Sequence, residues 1–211
     1  VYPEFNYPEV FTVRRCLGCD LLFNSPRLAD EELRNLYDDN YYFFKRKDSN
    51  EFERIVEMYC RTVALVEDDV SPKKVLEIGS GRGYLLAVLS CLGWDAQGIE
   101  ISSEAARYAM SNFGLPVFVG TLEEYVLRGQ MELFPLVLAI DLLEHVPYPS
   151  RFLATARNVI SDDGILIIDT PNGDAYNISL QAERWKGFNP FHIFLFSLKN
   201  IGILLEKNGF T

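Results

Sequence analysis

The residues best suited to chemistry begin at Val75-Leu76-Glu77-Ile78-Gly79-Ser80-Gly81-Arg82-Gly83, an apolar run that turns through three glycines spaced G-x-G-x-G. A glycine-rich turn joining a strand to a helix is where a doubly wound sheet receives a nucleotide, because backbone N–H groups there come close to the ligand. A dinucleotide fingerprint wants its third glycine at position 84, and this chain has Tyr84. Glu77 stands at the carboxyl end of the strand, where its charge repels a pyrophosphate and attracts an ammonium or sulfonium group. Glu100 lies 21 residues beyond Gly79, the place of a carboxylate that accepts both ribose hydroxyls. The turn therefore suits an adenosine that lacks phosphates and carries a cationic end. The chain has two histidines, His145 and His192. Histidine is the side chain whose ordinary pKa suits a general base near neutrality. Cys16 and Cys19 have the spacing of half a zinc site, whereas a closed zinc site takes four ligands. Cys60 and Cys91 fall in expected helices and read as small core residues.

These residues need a scaffold, and the pattern from Lys73 onward provides one. Strand-like runs at Val75 to Ile78, Trp94 to Glu100, Val117 to Val119, Leu136 to Ile140 and Ile165 to Ile168 alternate with segments of helical period. That alternation predicts an α/β fold, a Rossmann-like doubly wound and mostly parallel sheet. Leu85, Val88, Leu89 and Leu92 form the expected buried stripe of the first helix, and Ser102 or Ser103 caps the next, which Gly114 closes. Asp162-Asp163-Gly164 reads as a turn. A last helix starts near Ser197, faces Leu198, Ile201, Leu204 and Leu205 inward, and stops at Gly209. Three segments result: short strands around the CxxC pair over 1–29, a small helical cap over 30–70, and the nucleotide-type domain over 71–211. Within the cap, Phe52, Ile55, Val56, Tyr59, Val63 and Val66 recur at the spacing of one helix face. The 211 residues are 48% apolar and 24% charged, which excludes disorder and coiled coil. A net charge of −10 argues against nucleic acid and anionic lipid as partners. No apolar run approaches the roughly 20 residues of a membrane helix. Four cysteines do not make a disulfide scaffold at this length, so a reducing cytoplasm is the expected compartment.

The region from about Val75 to Gly209 resembles a class I S-adenosylmethionine-dependent methyltransferase. The resemblance rests on Glu77-Ile78-Gly79-Ser80-Gly81-Arg82-Gly83, on Gly98-Ile99-Glu100 and on Asp141-Leu142-Leu143-Glu144-His145-Val146, with Pro171-Asn172 and the closing Phe194 to Phe210 segment in order behind them. It implies S-adenosylmethionine as cofactor, held by Glu77, Gly79, Ser80, Gly81, Gly83, Glu100 and Ile101. By the same precedent Thr121 and Leu122 lie near the adenine, and Asp141 and Leu142 beside the methionine portion. Phe191-His192-Ile193-Phe194 is similar to the segment that carries a proposed general base in sugar C-methyltransferases, with Phe191 where those enzymes often have an acid. His145 is the second catalytic candidate. Tyr41, Tyr42, Asn172, Trp185, Asn189 and Phe191 are the expected acceptor contacts.

Cys16-x-x-Cys19 with Leu22-Phe23-Asn24-Ser25-Pro26-Arg27 resembles the lead-in of methyltransferases that carry a zinc knuckle, and implies a structural zinc if a second ligand pair lies upstream. The chain starts without Met and stops where the family sheet has two further strands, so it is expected to continue beyond both ends. The expected reaction is methyl transfer to an oxygen or carbon of a small molecule such as a sugar, quinone or phenol, with a homodimer as the partner state the sequence leaves open. The alternatives are an NAD(P)-dependent oxidoreductase, which Tyr84 and Glu77 disfavour, and a non-catalytic cofactor-binding or interaction domain.

Overall fold

The run Val75 to Ile78 is apolar but for Glu77 and the run Leu136 to Ile140 is apolar throughout, and in the structure they lie side by side in the middle of a sheet. The structure is a computed structural model and describes residues 11–35, 49–129, 132–181, 184–185 and 187–211. In chain order these form β1 (Val13–Arg15), β2 (Leu22–Asn24), α1 (Asp30–Asn35), α2 (Ser49–Ala64), β3 (Lys74–Ile78), α3 (Tyr84–Cys91), β4 (Asp95–Glu100), α4 (Ser103–Phe113), β5 (Val117–Val119), α5 (Leu122–Leu127), β6 (Phe134–Ile140), α6 (Pro149–Ala156), β7 (Ile160–Asp169), α7 (Tyr176–Gln181), β8 (Phe194–Leu195) and α8 (Leu198–Lys207). Among the described residues no helix is long and apolar enough to cross a membrane. The chain divides into two compact units. One takes the described parts of Val1–Asn35, Asp141–Ala154 and Ile168–Thr211, and the other those of Leu36–Ile140 and Thr155–Ile167.

The second unit holds a five-stranded sheet of order β5-β4-β3-β6-β7, in which β3 pairs parallel with β4 and β6, and β4 parallel with β5. This is the predicted α/β architecture. Val75, Leu76, Leu136, Val137 and Leu138 are fully buried, and Leu85 and Leu89 of α3 join Tyr59 and Val63 of α2 and Trp94 in one core cluster. Each such side chain contributes about 1.5–3 kcal/mol on leaving water. Three local expectations change. Leu92 is 60% exposed, because α3 ends at Cys91 and Leu92 sits at the cap rather than on the buried stripe, where Leu86 stands instead. Cys91 is exposed, and only Cys60 packs against the core. Asp162-Asp163-Gly164 is not a turn but the middle of β7: a Cβ at Gly164 would stand 3.0 Å from the Phe134 carbonyl oxygen, so glycine here allows close strand approach.

The first unit carries the small antiparallel sheet β1-β2-β8, with Leu22 opposite Leu195 and Phe23 opposite Phe194. The buried Asn24 side chain closes this sheet onto the loop before β8: its Nδ2 donates to the carbonyls of His192 at 2.9 Å, Asn189 at 3.3 Å and Pro190 at 3.4 Å. Helix α8 starts with a reciprocal capping box between Ser197 and Asn200. Leu198, expected inward, is 80% exposed because that box turns Asn200 inward in the first turn; Ile201, Leu204 and Leu205 are half-buried. In α2 the side chains of Phe52 and Ile55 lie outside the described set, as do Tyr41 and Tyr42 altogether.

Candidate functional site

In the second unit, β3 runs into Gly79-Ser80-Gly81-Arg82-Gly83 before α3 begins. The three glycines have φ of 77°, 54° and 73°, which only glycine adopts without strain. The N–H groups of Gly79 and Ser80 donate to the Ile99 carbonyl at 2.8 and 3.1 Å, so the loop is strapped across the end of β4. Gly83 is also sterically required, since a Cβ there would stand 2.8 Å from the Ala109 Cβ and 3.0 Å from Leu115 Cδ1. At Gly81 a Cβ would meet nothing within 4 Å, which leaves the loop's face open beside its backbone. Arg82 is turned away from a phosphate-binding role: its guanidinium carbon lies 4.9 Å from the Tyr108 ring centre, and Nη2 lies 3.7 Å from Glu104.

Two carboxylates flank the loop. Glu100 accepts from the Gly81 N–H at Oε2 and from the Ser102 N–H at Oε1, both at 2.7 Å. Burial raises its pKa, and the backbone bonds from Ser102, Gly81 and Ile101 pull it back. Each carboxylate oxygen has a second lone pair, so both can accept a further donor such as a ribose hydroxyl. Glu77 is 6% exposed and its Oε2 has no hydrogen-bond partner; burial, then repulsion by Glu100, pushes its pKa up to about 8. The buried Ser80 Oγ is likewise unpartnered. Thr121 Oγ1 caps α5 by accepting from the Glu124 N–H, Leu122 is buried behind it, and Ile101 is partly exposed.

The first unit gathers Glu144, His145 and His192. Asp141 holds an unusual φ of 47° and donates its N–H to the Asp169 carbonyl, which turns the chain sharply into the short helical turn Leu143–His145; Leu142 caps that turn half-buried. Glu144 is 1% exposed. Its Oε2 accepts from Thr170 Oγ1 at 2.8 Å, while Oε1 has no hydrogen-bond partner and lies 3.8 Å from His145 Nε2 and 4.0 Å from His192 Nε2. Burial, with repulsion from Asp141 and Asp169, pushes the Glu144 pKa up to about 8. His145 Nδ1 lies 2.9 Å from the Phe191 carbonyl and His192 Nδ1 lies 2.8 Å from the Gly187 carbonyl. A carbonyl only accepts, so both neutral rings carry hydrogen on Nδ1 and a lone pair on Nε2. Asn189 donates from Nδ2 to His192 Nε2 at 3.1 Å, an orientation set by the Phe191 N–H donating to Asn189 Oδ1. Burial and His192 hold the His145 pKa down to about 3, and burial lowers that of His192.

Of the expected acceptor contacts, Asn189 adjoins His192, whereas the Asn172 side chain accepts from the Asp174 N–H in its own loop and Trp185 packs edge-on against Phe188 with ring centres 5.1 Å apart. Phe191 is buried and offers its carbonyl to His145 Nδ1. Glu144 Oε1 stands 4.0 Å from His192 Nε2 without a hydrogen bond to it, and the ring's tautomer is set by the Gly187 carbonyl. Thr170 and the Gly187 carbonyl carried no signal in the sequence. Cys16 is half-buried and Cys19 exposed, and among the described residues they gather no third metal-ligating side chain.

A methyltransferase domain family matches residues 49–211. The chain belongs to the class I methyltransferases. The chain is 32% identical over 111 residues, 49% of its length and 47% of the relative's, to a ubiquinone biosynthesis O-methyltransferase of Glaesserella parasuis. It spans about half the length of the curated relatives it matches. Its fold is that of a SAM-dependent methyltransferase from Archaeoglobus fulgidus, with a TM-score of 0.65 at 20% identity over 81% of this chain and 75% of that one. The plantazolicin methyltransferase BpumL in complex with SAH shares it too, with a TM-score of 0.64 at 18% identity over 84% and 73% of the two chains.

Proposed function

We propose that this methyltransferase moves the methyl group of S-adenosylmethionine to an oxygen or carbon of a small molecule. The observation that carries the reading is the buried Glu77 carboxyl, its Oε2 unpartnered, beside a glycine loop where a second negative charge would be repelled. S-adenosylmethionine fits that loop because its amino and sulfonium groups are the cations such a carboxylate lacks. When bound it supplies an electrophilic methyl group on sulfur. Gly79, Ser80, Gly81 and Gly83 shape the backbone of the cradle, Glu100 accepts from the ribose, and Thr121, Leu122 and Ile101 line the adenine side. In the other unit, His192 is the base once its Nε2 gives up the hydrogen bond from Asn189, while burial keeps His145 neutral and suits it to hydrogen bonding rather than to taking a proton; Asn172, Trp185 and Asn189 serve as acceptor contacts. Methyl transfer gains most of its rate from aligned approach in a dry pocket, so a base matters chiefly for hydroxyl and carbon acceptors. The names of the relatives favour a hydroxylated ring as acceptor, within that wider class.

Calorimetry with S-adenosylmethionine and with NADH separates the readings. The expected result is binding of the first only, weakened by about 1–3 kcal/mol in Glu100→Ala, the scale of hydrogen bonds to a charged group. S-adenosylhomocysteine should form with phenol or sugar acceptors, and His192→Ala should lower that turnover while leaving cofactor affinity unchanged. Tight NADH binding with no heat from S-adenosylmethionine would overturn the proposal.

A further inference from the structure

We infer that Glu144, His145 and His192 form a binding site for one divalent transition-metal cation, and that a methyl-acceptor oxygen completes its coordination. The second clause rests on the methyltransferase reading; the first does not.

Three observations carry it. Glu144, His145 and His192 converge from two chain segments, each with a ligand atom within 4.8 Å of the others, and Glu144 Oε1 lies 3.8 Å from His145 Nε2 and 4.0 Å from His192 Nε2. Glu144 is almost wholly buried, yet Oε1 has no hydrogen-bond partner, and a buried carboxylate oxygen left this way is expensive unless something positive meets it. Asp141 and Asp169 add negative potential at the same carboxylate. Finally, each ring donates Nδ1–H to a backbone carbonyl, and Thr170 donates to the other Glu144 oxygen. Metal-binding histidines and carboxylates are oriented in this way, with the far atom tied to a partner and the near lone pair aimed at the ion.

Two imidazoles and one carboxylate suit Zn²⁺, Mn²⁺ or Fe²⁺ rather than Mg²⁺ or Ca²⁺. Ligand atoms around a tetrahedral zinc stand about 3.3 Å apart, so the 3.8 and 4.0 Å separations need only small rotations to close on an ion. Binding takes one hydrogen bond from Asn189, whose Nδ2 now donates to His192 Nε2. Three protein ligands leave a position for an exogenous oxygen, and a cation there lowers the pKa of a coordinated hydroxyl. That chemistry selects an oxygen acceptor over carbon.

The test uses the full chain stripped with EDTA, Mn²⁺ followed by electron paramagnetic resonance, and proton NMR of the two histidine rings. One Mn²⁺ per chain is expected, with broadening of both ring signals and displacement by Zn²⁺. Glu144→Gln and His192→Gln should each weaken Mn²⁺ by about tenfold or more, while Cys16→Ser with Cys19→Ser leaves it unchanged. Should the site variants fail to fold, the wild-type ring signals decide alone: no broadening of either at millimolar Mn²⁺ overturns the inference. S-adenosylmethionine calorimetry on the same stripped sample keeps the two readings apart, since cofactor binding without metal binding sinks the metal site only.

Discussion

Glu77 shows how one buried side chain can report on a ligand. Burial beside Glu100 holds its pKa near 8, so at pH 7 the carboxyl is mostly protonated in the free protein. An opposite charge within a few ångströms favours the ionised form, so a cationic ligand must drive the proton off. Binding of S-adenosylmethionine at pH 7 is therefore expected to release close to one proton, read from calorimetric enthalpies in buffers of different ionisation heat. Glu77→Gln should abolish the release and weaken binding. An equal release in that variant would assign the proton to another group, Glu100 first among them, because burial raises its pKa as well.

At the scale of elements, the loop between β3 and α3 uses glycine for two separate reasons, and substitution distinguishes them. Gly81→Ala meets no neighbour within 4 Å and pays only for its φ of 54°, about 1–2 kcal/mol. Gly83→Ala has the same handicap plus a methyl group 2.8 Å from Ala109, so α3 and α4 must part. Urea unfolding should show Gly83→Ala clearly less stable than Gly81→Ala; equal midpoints would mean the helices yield freely. The loop, its flanking strand and the Gly114 cap were readable in the sequence because each depends on neighbours in the chain: an apolar run, a glycine rhythm, a helix stop. Leu92 misled because the helical period extends past Cys91, where the cap turns the chain, and Leu198 because the capping box turns Asn200, not Leu198, inward in the first turn. Gly164 misled because a glycine after two aspartates has the composition of a turn, and only the approach of Phe134 reveals its use. The Glu144 and histidine cluster was half legible. The two histidines stand out by scarcity, but Glu144 and His192 are 48 residues apart, and the groups that orient the rings are backbone carbonyls, which any residue supplies.

For the whole molecule, the same buried acids set a pH dependence that runs against the usual expectation for a protein with net charge −10. Glu132 shows the usual sign: its pKa is lowered by hydrogen bonds from Lys74 and then Gln97, and such a group stabilises the fold above its ordinary pKa and loses that contribution as acid protonates it. Glu77 has the opposite sign. Between its ordinary value of 4.5 and about 8 the folded protein keeps a proton that the unfolded chain has already lost, so stability falls as pH rises through that window. The loss is on the order of a few kcal/mol for one fully buried group. Growing self-repulsion of an acidic chain acts in the same direction, but it is spread over the surface and screened by salt. Denaturant unfolding at pH 5.5 and 8.5 in high salt isolates the buried contribution. Wild type should be distinctly weaker at pH 8.5, and Glu77→Gln, which cannot ionise, should lose less over the same interval. Equal losses in the two proteins would show that Glu77 ionises in the fold as readily as in water, and the electrostatic argument for a cation beside the glycine loop would fall with it.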